Sequence, residues 1–97
     1  MWFQNGGNTF MLKTREGFIM RQLGNEYMVV AVGEASKAFN GMIRLNETGA
    51  FFWENMEQGI EKAALVDKML ERFDDLDRET AEKDLDEFVA KIRFALE

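Results

Sequence analysis

The stretch Met42–Met56, MIRLNETGAFFWENM, changes period in its middle, and that change decides how the rest of the chain reads. Over Met42–Leu45 the pattern alternates, placing Ile43 and Leu45 on one face of an extended strand and Met42 and Arg44 on the other. From there on, Leu45, Gly49, Phe52, Trp53 and Met56 recur at the three- and four-residue spacing of a single helix face. Asn46 stands between the two regimes. It is a favoured N-cap, and Glu47 behind it supplies the anion that the first turn of a helix stabilises. The spacing therefore predicts a short strand, a cap and a helix to about Met56, closed by Gly59.

Upstream, Phe18–Leu23 (FIMRQL) and Tyr27–Val32 (YMVVAV) read as strands. Gly24-Asn25 between them suits a tight hairpin turn. Tyr27–Val32 is apolar on both faces, as a central strand should be. Gly33–Gly41 is a loop with one helical turn over Ala35–Phe39, after which Met42–Leu45 is a third strand with a free edge. Downstream, Leu65, Val66, Met69, Leu70 and Phe73 form one stripe on a second helix, about Lys62–Phe73. A third helix is expected over about Arg78–Leu96, capped by Asp77, with Ala81, Leu85, Phe88, Val89, Ile92 and Leu96 on its apolar side. Glu79–Lys83 and Glu87–Lys91 stand at i,i+4 in the favourable orientation, worth about 0.3–0.5 kcal/mol each as ion pairs.

The order is thus three antiparallel strands within residues 17–46, then three helices, with no strand after residue 60. The class is α+β, and no helix crosses between strands, which excludes a doubly wound α/β fold. Residues 13–97 form one domain. Residues 1–12, which open on MWFQNGGNTF, are expected to be a flexible arm.

The 97 residues are 46% hydrophobic and 12% aromatic, so a core is affordable. There is no Cys and no His, which removes thiolate and imidazole ligands, a cysteine nucleophile and the commonest general base. No run is long and apolar enough to span a membrane and no secretory signal is evident, so a cytoplasmic location is expected. The formal net charge of −6 is unevenly spread. Residues 1–46 carry +2 and residues 47–97 carry −8.

Among possible chemical sites, the acidic run Asp74–Glu79 places carboxylates at 75, 77, 79 and 86 with the spacing of a calcium loop. Thr80 stands where that loop needs Gly, and Lys83 where it needs an oxygen ligand, so the run reads as an acidic helix start. No carboxylate pair lies in an apolar context, and no glycine-rich phosphate cradle is present. Neither a metal, a cofactor nor a catalytic residue is expected. Phe52 and Trp53 read as core. Phe51 points elsewhere on the helix, toward solvent, the loop or a partner, and Phe94 lies about 200° from Ile92 around the third helix, as a dimer contact, a partner contact or a docking point for the N-terminal arm.

The run FNGMIRLNETGAFFWE, Phe39–Glu54, resembles the signature of the PqqD-like family. Glu16-Gly17-Phe18, Tyr27–Gly33, Gly59 and Arg72-Phe73 are similar to it as well. The likeness covers about residues 13–96 and is most specific over Leu45–Glu54. It implies a winged helix-turn-helix-like domain that recognises the leader segment of a ribosomally made precursor peptide. In that family the leader adds as a strand beside the third strand and lies against the third helix. A partner enzyme, often a radical S-adenosylmethionine enzyme, then modifies the peptide, as in pyrroloquinoline quinone biosynthesis. Carried over by position, the edge is Met42, Ile43, Arg44 and Leu45, and the groove is Leu85, Phe88, Lys91, Ile92 and Ala95. The arm is longer than the family pattern requires, and the chain lacks the Gly and short apolar tail common after the last helix. Such an arm could occupy the edge or exchange between subunits, so a homodimer through arm or edge is a further expectation.

Two other functions fit the fold class: a winged-helix DNA-binding regulator, or an interaction module that only self-associates. A reading helix at Arg78–Glu97 would carry Arg78, Lys83, Lys91 and Arg93 against six acids. Phosphate contacts dominate DNA affinity, so that balance repels the backbone it must approach. Fluorescence anisotropy with duplex DNA at physiological salt is expected to stay flat into the micromolar range. Submicromolar, sequence-dependent binding would overturn that expectation.

Overall fold

Alternation in the first half of the chain produces a meander. The computed structural model describes residues 11–39 and 41–97, with a two-residue strand β1 (Met11–Leu12) preceding β2 (Phe18–Leu23) and β3 (Glu26–Ala31). A four-residue helix α1 (Ala35–Ala38) leads to β4 (Met42–Leu45). Strands β2, β3 and β4 form an antiparallel sheet in that order, with Leu23 opposite Glu26, Tyr27 opposite Leu45 and Val30 opposite Met42. Gly24 opens the two-residue turn at φ 61°, a left-handed conformation that costs a side chain-bearing residue about 1–2 kcal/mol.

Period two sorts the sheet's side chains. Phe18, Val29 and Leu45 are buried, with Met20, Tyr27, Ala31 and Ile43 packed partly against them. Ile19, Val30 and Met42 form a cross-strand row on the opposite face, where Ile19 and Met42 are exposed. The inner face is covered by α2 (Glu47–Met56), whose Ala50, Phe52, Trp53 and Met56 are buried. Trp53 is wholly buried, and its indole N–H has no partner among the described residues. Leaving that donor unpaired costs about 1–3 kcal/mol. Removing 150–250 Å² of aromatic surface from water returns about 4–6 kcal/mol, so burial wins.

Strand β5 (Ile60–Glu61) runs directly into α3 (Lys62–Arg72), and α4 (Arg78–Lys91) completes the core. Their buried stripes are Leu65, Val66 and Met69 on α3, and Ala81, Leu85 and Phe88 on α4. The Asp67 and Asp86 carboxylates bind Arg78 and Lys62 across the two helices; exposed pairs of this kind contribute about 0–1 kcal/mol. Asp77 caps α4, accepting from the Thr80 N–H at 2.8 Å. Hydrogen bonds from the Thr80 side chain and backbone hold its carboxyl below the usual 3.8. The cap is therefore fully present above that value and is lost as pH falls through the lowered one. Phe51 packs edge-on against Phe73, and Phe94 stacks on Phe39 and meets Phe18 edge-on, so both off-stripe aromatics have neighbours within the domain.

Three expectations need correction. The last helix stops at Lys91, and a 3-10 turn, Arg93–Ala95, follows before Leu96 turns extended. Backbone pairing with the segment before β2 outcompetes the final helical turn. Arg15 N–H donates to the Ala95 carbonyl at 2.7 Å, and Glu97 N–H to the Lys13 carbonyl at 2.9 Å, around a Thr14–Leu96 bridge. Second, a strand does follow residue 59: β5 pairs antiparallel with β1, Met11 opposite Glu61 and Leu12 opposite Ile60. Residues 11 and 12, expected in the arm, are thus in a ladder, while the arm reading of residues 1–10 lies outside the described residues. Third, neither Glu79–Lys83 nor Glu87–Lys91 is among the ion pairs of the described residues. On an exposed helix face such pairs gain too little to hold two long side chains.

Gly17 is required twice over. Its φ is 97°, and a Cβ there would stand 2.7 Å from the Ala35 Cβ and 3.3 Å from the Val32 carbonyl oxygen. At Gly24 a Cβ meets nothing within 4 Å, leaving the dihedral cost alone. Urea unfolding should show Gly17→Ala losing about 2–4 kcal/mol and Gly24→Ala about 1 kcal/mol. Equal losses would mean that the contact with Ala35 is not felt.

Candidate functional site: the free edge of β4 and the cleft beside α4

Among the described residues strand β4 has a partner on one side only, since β3 pairs with it and it ends the sheet. What stands on its open side follows from how α2 begins. Asn46 is extended, and its side-chain oxygen accepts from the Gly49 N–H at 2.7 Å, so the strand becomes helix within one residue. Gly49 lets α4 approach: its ideal Cβ position is 3.1 Å from the Phe88 ring and 3.3 Å from the Asn46 side-chain oxygen. Phe88 in turn packs on Phe52, ring centroids 5.2 Å apart. Between the start of α2 and α4 lies an open cleft of about 300 Å³, lined by Asn46, Thr48, Gly49, Phe52, Asp84, Glu87, Phe88 and Lys91.

The backbone groups available on the edge can be assigned. The Lys91 ammonium donates to the Arg44 carbonyl at 3.5 Å, which puts that carbonyl on the open side of β4. In an antiparallel strand the N–H and C=O of one residue point the same way and successive residues alternate. Met42 and Arg44 therefore present their backbone groups outward, while Ile43 and Leu45 bond to β3. On the side-chain level the split is perpendicular to this. Leu45 is buried and Ile43 half-buried on the inner face; Met42 and Arg44 are exposed, with Arg44 3.7 Å from Glu26.

The four predicted edge residues thus form one strand, and Phe88 and Lys91 stand beside it on α4. Leu85, Ile92 and Ala95 do not line the cleft, because each has no exposed surface and belongs to the core. Ala95 lies on the 3-10 turn that follows α4 rather than on the helix itself, so a charge placed there would probe stability and not the cleft. The face of α4 that meets the cleft is 84, 87, 88 and 91, rotated by about one residue from the apolar stripe. Asp84 and Glu87 were not anticipated, nor were Asn46, Thr48, Gly49 and Phe52 as lining residues. The i, i+3, i+4, i+7 series through Phe88 and Lys91 was a signal that could have found the first two. Among the described residues no three Asp, Glu, His or Cys side chains are placed to hold a metal ion, and no helix is long and apolar enough to cross a membrane. Of the carboxylates of the cleft, Asp84 is half-buried and Glu87 exposed, and both share the opening with Phe88 and Lys91.

Comparison with known proteins adds a family and a fold. Residues 16–93 match the family described as Coenzyme PQQ synthesis protein D (PqqD). The solved structure of TbiB1 in complex with the TbiA(beta) leader peptide superposes with a TM-score of 0.70 at 21% identity. The superposition covers 88% of this chain and 94% of that one. At that identity the likeness is one of fold: a three-stranded antiparallel sheet with helices. No curated protein is significantly similar in sequence.

The cap at Asn46 is open to test. Asn46→Ala removes the bond to Gly49 and should lower stability by about 0.5–2 kcal/mol in urea unfolding, whereas Asn46→Asp keeps an acceptor and should lie within about 0.5 kcal/mol of the parent. A silent Asn46→Ala variant would mean that the strand-to-helix junction does not depend on this side chain.

Proposed function

The chain belongs to the family of coenzyme PQQ synthesis protein D (PqqD), and from that premise we propose that it is a non-catalytic adaptor that binds the leader of a ribosomally made precursor peptide. The leader adds as a strand to the open edge of β4, Met42–Leu45, and lays alternate side chains into the cleft against Phe88 and Lys91. The observation that carries this reading is a strand edge without a partner among the described residues, beside a preformed cleft, with the backbone groups of Met42 and Arg44 turned outward. Main-chain pairing supplies affinity of a kind that tolerates many sequences, and the cleft supplies selection among them. The solved structure of TbiB1 with a leader peptide supports the same use of the fold here.

Holding a leader in extended form requires no acid, base or nucleophile from the adaptor. The core of the precursor is modified by a partner enzyme, for which a radical S-adenosylmethionine enzyme is the reading the family favours. Whether the product is pyrroloquinoline quinone depends on the peptide, not on the adaptor. The net charge of residues 47–97 argues against DNA as the ligand of the same domain.

The decisive variant changes only the outward backbone. Arg44→Pro deletes an N–H that faces the open side and leaves the bonds of Ile43 and Leu45 to β3 in place, and proline is tolerated on edge strands in that position. Calorimetry with a peptide selected from a random library on the parent protein should show affinity falling by about tenfold or more in a folded Arg44→Pro protein. One lost hydrogen bond accounts for about 0.5–1.5 kcal/mol of that loss, and the ring's obstruction of close strand approach for the remainder. Unchanged affinity, or peptide-induced amide shifts that pass over residues 42–45, would remove the strand-addition mechanism.

A further inference from the structure

The contact between Lys91 and Arg44 carries more than the orientation of a carbonyl. Glu87 lies one turn before Lys91 in the orientation that favours an i,i+4 ion pair, yet the ammonium reaches across the cleft to the strand. Arg44, the other cation of the edge, already faces Glu26. Lys91 is exposed and is in no ion pair among the described residues, so its charge is uncommitted. An unpaired strand edge is a hazard, and a lysine laid over it is one way to blunt it. An incoming strand needs the same acceptor. The bond at 3.5 Å is long and exposed, so displacing it costs little.

We infer that Lys91 is the specificity residue of this edge: it covers the Arg44 carbonyl in the free protein and, once a strand takes that carbonyl, pairs with a carboxylate on the peptide. The inference rests on the strand-addition reading above and fixes where the carboxylate stands. In antiparallel addition the peptide residue opposite Arg44 exchanges both hydrogen bonds with it and sends its own side chain to the outer face of the sheet. The residues before and after it point inward over the cleft. Lys91 reaches the Arg44 carbonyl and the Phe88 ring comes up against Gly49 beside the Asn46 side chain, so going from Asn46 back to Arg44 moves along α4 from Phe88 toward Lys91. A peptide antiparallel to β4 runs the same way. Its earlier inward residue meets the Phe88 end, flanked by Asp84 and Glu87, which repel acids there. Its later inward residue meets Lys91. The ligand is thus a peptide with an apolar residue followed two positions later by Asp or Glu.

The full chain and its Lys91→Glu variant can be panned separately against a phage-displayed library of random twelve-residue peptides. Lys91 is exposed, so neither this variant nor Lys91→Met disturbs the core. The parent should enrich Asp or Glu two positions after an apolar residue, and Lys91→Glu should enrich Lys or Arg there. A synthetic parent-selected peptide with that acid changed to its amide should bind the parent about three- to fivefold more weakly at low salt. The difference should shrink below about twofold in ~0.5 M NaCl and in Lys91→Met, since an exposed ion pair is screened. The same enriched sequences on parent and Lys91→Glu, or an amide penalty that Lys91→Met retains, would overturn the role of Lys91 while leaving strand addition standing. No enrichment on the parent, or enriched peptides that leave the amides of residues 42–45 unmoved, would overturn strand addition and this inference with it.

Discussion

One hydrogen bond, from the Gly49 N–H to the Asn46 side chain, sits where the two halves of the fold meet. It ends β4 and starts α2 without an intervening loop. The consequence is positional. Leu45 is driven into the core as the last strand residue, Ala50, Phe52 and Trp53 follow it there as the first turns of helix, and the open edge of β4 is held at a set distance from whatever packs on α2. What packs there is Phe88. Because residue 49 has no side chain, the Phe88 ring comes within 3.1 Å of where its Cβ would stand, and the same ring lines the cleft with Phe52. Strand edge, cap and cleft are thus one construction.

That construction explains why a core this ordinary leaves a usable surface. Burial of Phe52, Trp53 and Met56 by the sheet and by α3 and α4 absorbs the cost of an unpaired indole N–H. Beside Phe88 it leaves the charged margin of α4, Asp84, Glu87 and Lys91, lining the cleft. All three are charged; Glu87 and Lys91 are exposed and Asp84 half-buried, while the end of the helix beneath them is fixed by the buried Leu85 and Ile92. A rigid floor with adaptable walls is the combination that tolerates varied sequences.

Much of this was legible in the chain itself. The strand, cap and helix at Met42–Met56 follow from a change of period, and the buried stripes of α3 and α4 follow from spacing alone. Two things were hidden. The end of α4 was hidden because the apolar period continues through Ile92 and Leu96. Those residues are indeed buried, but backbone bonds to Lys13–Arg15, some eighty positions away, replace the last helical turn, and local pattern carries no trace of such a partner. The cleft was hidden for a different reason. Apolar periodicity identifies the residues that pack, and Leu85, Ile92 and Ala95 pack too well to be reached. The residues that meet the opening lie one step around the helix, among charges that look like any solvated face. The β1–β5 ladder is too short, at two residues a strand, to leave a periodic signal.

The pairing of Lys13–Arg15 with Ala95–Glu97 also sets the order in which the molecule can be made. A ribosome releases the meander and α2 early, and their contacts are mostly between neighbours in sequence, which form fast. Thr14 N–H bonds the Met56 carbonyl, but among the described residues the ladder partner of Lys13–Arg15 arrives only with Ala95–Glu97, across a loop whose closure entropy grows with the logarithm of its length. The seal between Lys13–Arg15 and Ala95–Glu97 is therefore the last of these contacts to form in a chain made from its N-terminus.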